Sequence, residues 1–546
     1  MALAVWLLAY LDRNRADLPP ERFRILPLHS TLSTQEQQRV FETMPKGVRK
    51  VVLSTNIAET SVTIDDVVFV IDCGRHKENR FDPVNRMPQL LETWVSRANS
   101  RQRRGRAGRV RPGHCFFLFT SERHKNMAEF QTPEMLRVPL DELCLQIKLL
   151  DLGDVKEFLE KAIEPPAEEA VVEAIKGLQE LQALDLREYL TPLGYHLAAL
   201  PVNVRVGKMM LYGTIFRALD PVLTIAAGLS FRSPFVAPFE KREEADKARK
   251  KFASGNRSDH LTLLKAYEGW VRAKAKGGEH GYCMVNFLSP NAMRMIAQSK
   301  RQFVDLLVEI GFLNLSKGGV LEHGGEPALE RNGGGHGVRG GASQRRGGGR
   351  RGRGNEVLKF GGEFYNTNSK ATALVKAVIC AGLYPNIVRV QPQAPQRPSR
   401  DGRPRPPRAP KLMNREGGEV FIHPISCNFD ASLTFPSPFL MYFEKVKTTK
   451  VYVRDSTMVT PYPLLLFGGE IIVRHEDMVI QIDGWIEFTS MGKVAVLIKR
   501  LRQELDKLLV EKIDKPATDF DEIEDTAEKT LQTIVQLIVN EEGNGS

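Results

Sequence analysis

Gln102-Arg103-Arg104-Gly105-Arg106-Ala107-Gly108-Arg109 sets arginines at intervals of three and four residues with glycines between them. On a helical path Arg106 and Arg109 project side by side. Two adjacent guanidinium forks suit the oxygens of a polyphosphate, because each is planar, permanently charged and carries only donors. Gly105 and Gly108 would let the backbone pack closely against whatever carries the phosphates. Read alone, the run is equally well a solvated basic surface, as many arginine clusters are.

The upstream context separates these readings. Val51-Val52-Leu53 is a short apolar run, and Ser54-Thr55-Asn56-Ile57-Ala58-Glu59-Thr60-Ser61 follows it, then Thr63-Ile64-Asp65-Asp66. Taken with the arginine run, this resembles motifs V and VI of superfamily 2 helicases, specifically the DEAH/DExH-box RNA helicases. The resemblance covers nearly the whole chain and implies its C-terminal portion: a second RecA-like domain, a winged helix, a helical ratchet and an OB-fold. The expected fold class is therefore multidomain α/β + α + β, with a partial RecA-like parallel sheet, a winged-helix and helical ratchet bundle, and an OB-fold barrel. Cys73–Asp82 and Leu190–Val204 look most like the subgroup that works with the small ribosomal subunit in translation initiation.

A length of 546 residues suits about three or four domains, and an apolar share of 42% is enough for real cores. The net charge of +11 fits a polyanionic partner without identifying which. Six cysteines lie far apart with no C-x-x-C pair, which reads as reduced core residues and not as disulfides or a zinc site. The apolar opening from Ala2 to Leu11 is too short to span a bilayer and lacks a basic leader, so no membrane is expected.

Along the chain, residues 1–134 alternate helical and strand patterns. A helix is expected at Leu3–Arg13, and strands at Phe23–Leu28, Lys50–Ser54, Val67–Asp72 and His114–Phe119, as in a parallel sheet covered on both faces. Lys77–Phe81 and Leu90–Trp94 flank the turn sequence Asp82-Pro83-Val84-Asn85 and predict a hairpin. Residues 135–201 read as the winged helix, with helices at Val138–Leu150 and Glu168–Gln182, and residues 202–316 as the ratchet. His260 there is expected to pack or cap. Residues 317–360 form an insert whose 331–354 stretch holds seven arginines and eleven glycines with no acid, a composition that favours disorder and loose RNA contact. Residues 361–512 read as the OB-fold. Its expected strands begin at Gly382–Ile387 and continue through Val420–Pro424, Phe439–Phe443, Val451–Val453 and Ile471–Val473, with a helix at Val494–Val510. A loop at 392–410 carries seven prolines and five arginines, and residues 513–546 form an acidic tail.

The resemblance also assigns roles. Arg106 and Arg109 are arginine fingers, and Gln102 positions the γ-phosphate or the attacking water. Phe41 stacks on adenine or else is a core phenylalanine. Thr63 and Asp65 lie near the ribose, and Ser61 couples nucleotide to strand. Ser30, Thr55 and Asn56 touch the RNA backbone. The implied cofactor is ATP with Mg2+, and the implied partners are single-stranded RNA, the small ribosomal subunit and a protein activator. The chain has no G-x-x-x-x-G-K-[ST] and no D-E-x-H, so the Mg2+ ligands are expected on a first RecA domain that it lacks. A non-catalytic RNA-binding or regulatory remnant is the alternative, and a DNA helicase of the same superfamily a third reading. A cytoplasmic location is expected, although arginine-rich tracts also occur in nuclear proteins.

Overall fold

The computed structural model describes residues 22–29, 37–60, 64–83, 87–110, 112–238, 241–314, 360–391, 410–430, 435–448, 450–474, 476–490, 492–518 and 527–544. The expected helix at Leu3–Arg13, Ser30, Ser61, Thr63, the arginine-glycine stretch and nearly all of the proline-arginine loop lie outside them. The chain divides into two compact units, Met1–Asp82 with Pro88–Val138, and Pro83–Met87 with Pro139–Ser546.

In the first unit all four expected strands form. Strands β1 (Phe23–Leu28) and β2 (Arg49–Ser54) pair in parallel, with Leu28 opposite Ser54. Strands β3 (Phe69–Asp72), β4 (Arg75–Asp82), β5 (Met87–Trp94) and β6 (His114–Phe117) follow. β3 and β6 make a second parallel pair, and β4 and β5 are the expected hairpin. Leu26, Leu28 and Val40 form a small core under the first pair, with Val52, Ile57 and Ile64 against it. The hairpin is pinned by Glu78, a buried carboxylate on β4 that accepts from Arg80 and from Gln131, each at 2.9 Å. Burial pushes its acidity down, but these donors and the Arg80 and Arg137 charges win and hold its pKa below the usual range. Gly74 adopts φ +68°, and a Cβ there would meet the Phe119 ring at 2.6 Å.

The second unit begins with helices at Asp141–Leu149, Val155–Glu160 and Glu168–Glu180. Next come the bridge Leu184 to Leu190 and the helix Pro192–Ala199, which Thr191 caps by accepting from Gly194 N. Helices at Val204–Ile215, Leu219–Ser230, Asp259–Ala275 and Pro290–Glu309 build the bundle. Gly382 lies in the helix Thr372–Leu383, where a Cβ would come within 2.7 Å of Met209 Cβ. That close approach explains why Gly382 and Leu383, expected to open the barrel, instead end a helix seated on Val204–Ile215.

The barrel has five strands: β7 (Ile387–Val390), β8 (Leu412–Met413), β9 (Glu419–Ile422), β10 (Phe439–Lys447) and β11 (Val451–Val459). Four of its pairings are antiparallel; the fifth, β9 with β11, is parallel and completes the ring. Val388, Leu412, Val420, Ile422, Leu440, Tyr442 and Val453 fill the interior. Ile471–Val473 does not join it. It lies in β12 (Ile471–Arg474), which pairs with β13 (Val479–Ile482), itself paired with β14 (Ile486–Thr489), in a separate antiparallel sheet. The helix expected at Val494–Val510 spans Gly492–Asp514, and the acidic tail contains a helix at Ala527–Asn544. Among the described residues no helix is long and apolar enough to cross a membrane.

Bundle and barrel are joined by buried polar groups. Asp259, at the first turn of its helix, accepts from Cys427 N at 2.7 Å, Ser456 N at 2.9 Å and Ser426 Oγ at 2.5 Å. His260 is 1% exposed and its Nδ1 meets Thr457 Oγ1 at 2.6 Å. It packs, as expected. Burial lowers its pKa to about 4, against a partial rise from Asp259. The folded value lies below the unfolded one, so the unfolded chain binds more protons as pH falls from 6.5 towards 4, and stability is lost across that window. His260→Asn should flatten part of the loss, by up to about 3 kcal/mol, in urea unfolding at pH 7 and pH 4. An unchanged pH dependence would remove His260 as a contributor.

Candidate functional site

The arginine run starts on a well-built helix. Ser96 Oγ accepts from Asn99 N at 3.1 Å, closing the N-terminus of helix Arg97–Arg104. Arg97 N and Ala98 N donate to Ala128 O and Glu129 O, which satisfies two more first-turn amides.

From this helix Arg103 reaches inward. Its Nε donates to Glu59 Oε2 and one NH group to Asp72 Oδ1, each at 2.9 Å. Glu59 is 6% exposed and Asp72 3%. Asn99 donates to the other oxygen of Glu59. Ser100 Oγ donates to Asp72 Oδ2 at 3.2 Å, and Gly74 N to Asp72 Oδ1 at 2.9 Å. Burial works against the charge on Arg103, yet the two carboxylates more than offset it and raise its pKa. Every oxygen of the two acids thus has a donor. The segment bearing Glu59 and the strand end bearing Asp72 are clasped to the arginine helix.

Arg106 and Arg109 do not lie on that helix, which ends at Arg104. Arg106 N and Ala107 N bond back to Arg103 O and Arg104 O, three residues earlier, in a tighter turn that follows the helix. The expected helical spacing is corrected on this point, but the proximity holds. The nearby charge of Arg109 depresses the pKa of Arg106, second only to burial, with Glu59 opposing. Arg106 is half-buried and donates to the Glu59 carbonyl oxygen. Gln102 and Arg109 are exposed. A Cβ on Gly108 would meet nothing within 4 Å, whereas one on Gly113 would lie 2.0 Å from Ala107 O and 2.4 Å from Val68 O. The glycine that permits close packing is Gly113, which the sequence reading did not single out.

Thr55 and Asn56 are exposed at the carboxyl ends of β1 and β2, where Thr55 N donates to Leu28 O at 3.1 Å. That end of a parallel sheet is where α/β folds commonly hold ligands. Phe41 is 52% exposed, so it is a ring available for stacking and not a core residue. Asp65 is exposed as well. Lys50 links the two regions. Its Nζ donates to Val40 O at 2.8 Å and Glu42 O at 2.9 Å, on either side of Phe41, and pairs with Asp66 at 2.7 Å, next to Asp65. Arg103, Glu59, Asp72 and Lys50 were absent from the sequence reading of the site. Glu59 and Arg103 lie inside the quoted motifs, but nothing local in the sequence marks them as a buried pair, because their partners are about 40 positions away.

The donor set of Gln102, Arg106 and Arg109 fits phosphate oxygens. It does not fit a divalent cation, because the nearby acids Glu59 and Asp72 are already committed to Arg103. Among the described residues no group of three or more His, Cys, Asp or Glu side chains is placed to hold a metal. All six cysteines are free, four of them buried, while Cys73 is exposed and Cys115 partly so.

Removing the charge of Glu59 leaves Arg103 half-compensated in a desolvated place. Glu59→Gln should destabilise the first unit by about 3 kcal/mol, read as faster hydrogen exchange of the amides of helix Arg97–Arg104. Gln102→Ala, on an exposed side chain, should leave that exchange unchanged. Equal effects from the two variants would contradict the clasp.

Five family models match the chain in order. These are the helicase conserved C-terminal domain over residues 7–111, the winged-helix part of the helicase-associated HA2 domain over 174–202 and its ratchet-like part over 203–263. The oligonucleotide/oligosaccharide-binding (OB)-fold follows over 375–471, and the C-terminal domain in RNA helicases over 479–540. Among curated proteins the chain is 43% identical to mouse ATP-dependent DNA/RNA helicase DHX36, over 96% of the chain and 48% of that protein. It is 44% identical to human putative ATP-dependent RNA helicase DHX57, over 95% of the chain and 36% of that protein. It is 39% identical to human ATP-dependent RNA helicase DHX29, over 95% and 34%. The chain thus spans about half the length of the first of these relatives and about a third of the other two. The run from Ser54 to Arg109, the order of the five domains and these relatives agree: the chain belongs to the DExH-box RNA helicases and corresponds to their C-terminal portion.

Proposed function

We propose that this chain is the C-terminal half of an ATP-dependent RNA helicase, supplying the cationic side of a composite ATP site and part of the grip on single-stranded RNA. One observation supports this most strongly. Of the arginines in the run, Arg103 is the one whose side chain clasps the Glu59 and Asp72 carboxylates, while Gln102 and Arg109 are exposed with half-buried Arg106 beside them. Phosphoryl transfer is accelerated mainly by positioning and by charge placed against the γ-phosphate oxygens. Arg106 and Arg109 serve that charge, and Gln102 orients the γ-phosphate or the attacking water. Arg106 is held by the Glu59 carbonyl, so its direction is fixed before any ligand arrives. Phe41 offers its exposed ring to the adenine and Asp65 its carboxylate to the ribose, with Lys50 fixing both loops. The ATP and its Mg2+ would be cradled by residues beyond this chain, which carries no phosphate loop of its own. Assayed alone, the chain should not turn over ATP.

On the RNA side, Thr55 and Asn56 offer hydroxyl, amide and backbone donors to phosphates. Such contacts position the strand without reading sequence and weaken steeply with salt. The fuller reading is 3′-to-5′ translocation along RNA in the cytoplasm, with the small ribosomal subunit in translation initiation as the setting and a protein activator as a partner.

In the full-length protein, Arg106→Lys and Arg109→Lys should each lower RNA-stimulated kcat for ATP by about 1,000-fold, with a much smaller change in KM. Lysine keeps the charge but loses the planar fork. Wild-type kcat in Arg109→Lys would sink the arginine-finger assignment. Stimulation by single-stranded DNA as strong as that by RNA of equal length would broaden the substrate to both nucleic acids.

A further inference from the structure

Lys50 stands between the two segments that the nucleotide reading uses, and its bonding decides what it can do there. Its side chain is 8% exposed although it ends in an ammonium group. An ammonium has three N–H donors and no acceptor. Lys50 places them on Val40 O at 2.8 Å, Glu42 O at 2.9 Å and Asp66 Oδ2 at 2.7 Å. A lysine beside a triphosphate commonly binds its oxygens as a point charge. Here all three donors are spent within the protein, and that role is closed.

The three bonds tie two short segments together instead. Phe41 ends the 3-10 helix Arg39–Phe41, and the last carbonyls of a helix need partners from outside it. Lys50 supplies one to Val40 O and one to Glu42 O just beyond. Val40 is fully buried in the core under β1 and β2, so the chain turns inward at Val40 and outward at Phe41. On the other side Ile64 packs against the same core, and Val67 N donates to Ile64 O at 3.3 Å, with Asp65 and Asp66 between them. One apolar anchor leaves each segment able to pivot, because apolar contact is non-directional. Lys50 removes that pivot by joining the carbonyls on either side of Phe41 to the carboxylate next to Asp65.

We infer that Lys50 is a positioning residue for the nucleoside half of the nucleotide. It fixes the Phe41 ring against the Asp65 carboxylate and itself touches neither base nor phosphate. The inference rests on the nucleotide reading above, which gives Phe41 the adenine and Asp65 the ribose, and adds the residue that sets the spacing of those two contacts. Groups ordered beforehand bind more tightly because less ordering is left for the ligand to impose. The signature therefore falls on nucleotide affinity and not on the chemical step, which Arg106 and Arg109 serve.

The test uses steady-state ATP hydrolysis by the full-length protein, with inorganic tripolyphosphate as a competitor that carries phosphates and no nucleoside. Lys50→Met keeps the aliphatic stem and removes the donors. It should raise KM for ATP about 10-fold, leave kcat within about two-fold, and leave inhibition by tripolyphosphate unchanged. Phe41→Ala should raise KM by a similar factor of about 10, and the double variant little further, since both changes act through one ring. Asp66→Asn, at a side chain 37% exposed, loosens the tie from its solvent side. It should raise KM about 3-fold, which decides the matter even if Lys50→Met fails to fold. Unchanged KM in Lys50→Met and Asp66→Asn, with KM raised in Phe41→Ala, would overturn the positioning role and leave the nucleotide reading standing. Weaker inhibition by tripolyphosphate in Lys50→Met, or a loss in kcat as large as the rise in KM, would overturn it too, making Lys50 a phosphate ligand or a general support of the fold. If Phe41→Ala left KM unchanged, the nucleotide reading of these segments would fall and the inference with it.

Discussion

Arg103 bridges two buried carboxylates, and the geometry of the whole arginine segment follows from the cost of leaving any of the three uncompensated. A charge taken from water costs several kcal/mol unless it is paired and its remaining hydrogen-bonding capacity is filled. Here Glu59 takes Arg103 and Asn99, and Asp72 takes Arg103, Ser100 and Gly74 N. Partners separated by some 30 to 45 positions in sequence must therefore meet at one place. The helix Arg97–Arg104 cannot rotate without breaking this set, and the turn that follows it is fixed as a consequence. Arg106 takes its direction from the Glu59 carbonyl, the same residue that anchors Arg103. One acid thus serves structure through its side chain and orients a candidate ligand group through its backbone.

The second unit follows the same rule at a different joint. Asp259 gathers the amides of Cys427 and of Ser456 on β11 with the Ser426 hydroxyl, and Arg249 reaches it at 3.4 Å. Apolar packing alone would let helix and barrel slide, because dispersion is nearly indifferent to small shifts. Directional bonds to a desolvated carboxylate are not. The barrel is therefore registered against the bundle by polar atoms and stabilised by its own apolar interior, two separate tasks. That registry fixes the outward face of β9 and β11 relative to the helix Asp259–Ala275.

Much of this was legible in the sequence because it rests on local pattern. Short apolar runs gave β1, β2, β3 and β6, and a turn sequence gave the hairpin of β4 and β5. What was not legible depends on partners distant in the chain. Nothing local distinguishes Arg103, which is buried by two acids, from Arg109, which is exposed. Helical spacing placed Arg106 and Arg109 on a continuing helix, whereas the α-helix ends at Arg104 and tighter turns follow. Ile471–Val473 has the alternation of a barrel strand, but its register partner is Val479–Ile482, and pairing cannot be read from one strand. Gly382 was expected to open the barrel, while its use is the close contact of its helix with Met209.

These cases share a cause that bears on how a basic run should be read. Counting charges treats each arginine as equivalent, yet a fold must spend some of them on its own carboxylates. Desolvation makes that division sharp, since a half-paired buried acid is costlier than either extreme. In the run from Gln102 to Arg109 the acids available nearby, Glu59 and Asp72, are satisfied by Arg103, Asn99, Ser100 and Gly74. The charges of Arg106 and Arg109 repel, which adds to the larger effect of burial in lowering the pKa of Arg106, and a bound anion would relieve that repulsion. A cluster of arginines points to a polyanion when the acids around it are already taken, and that condition is a property of the fold, not of the composition.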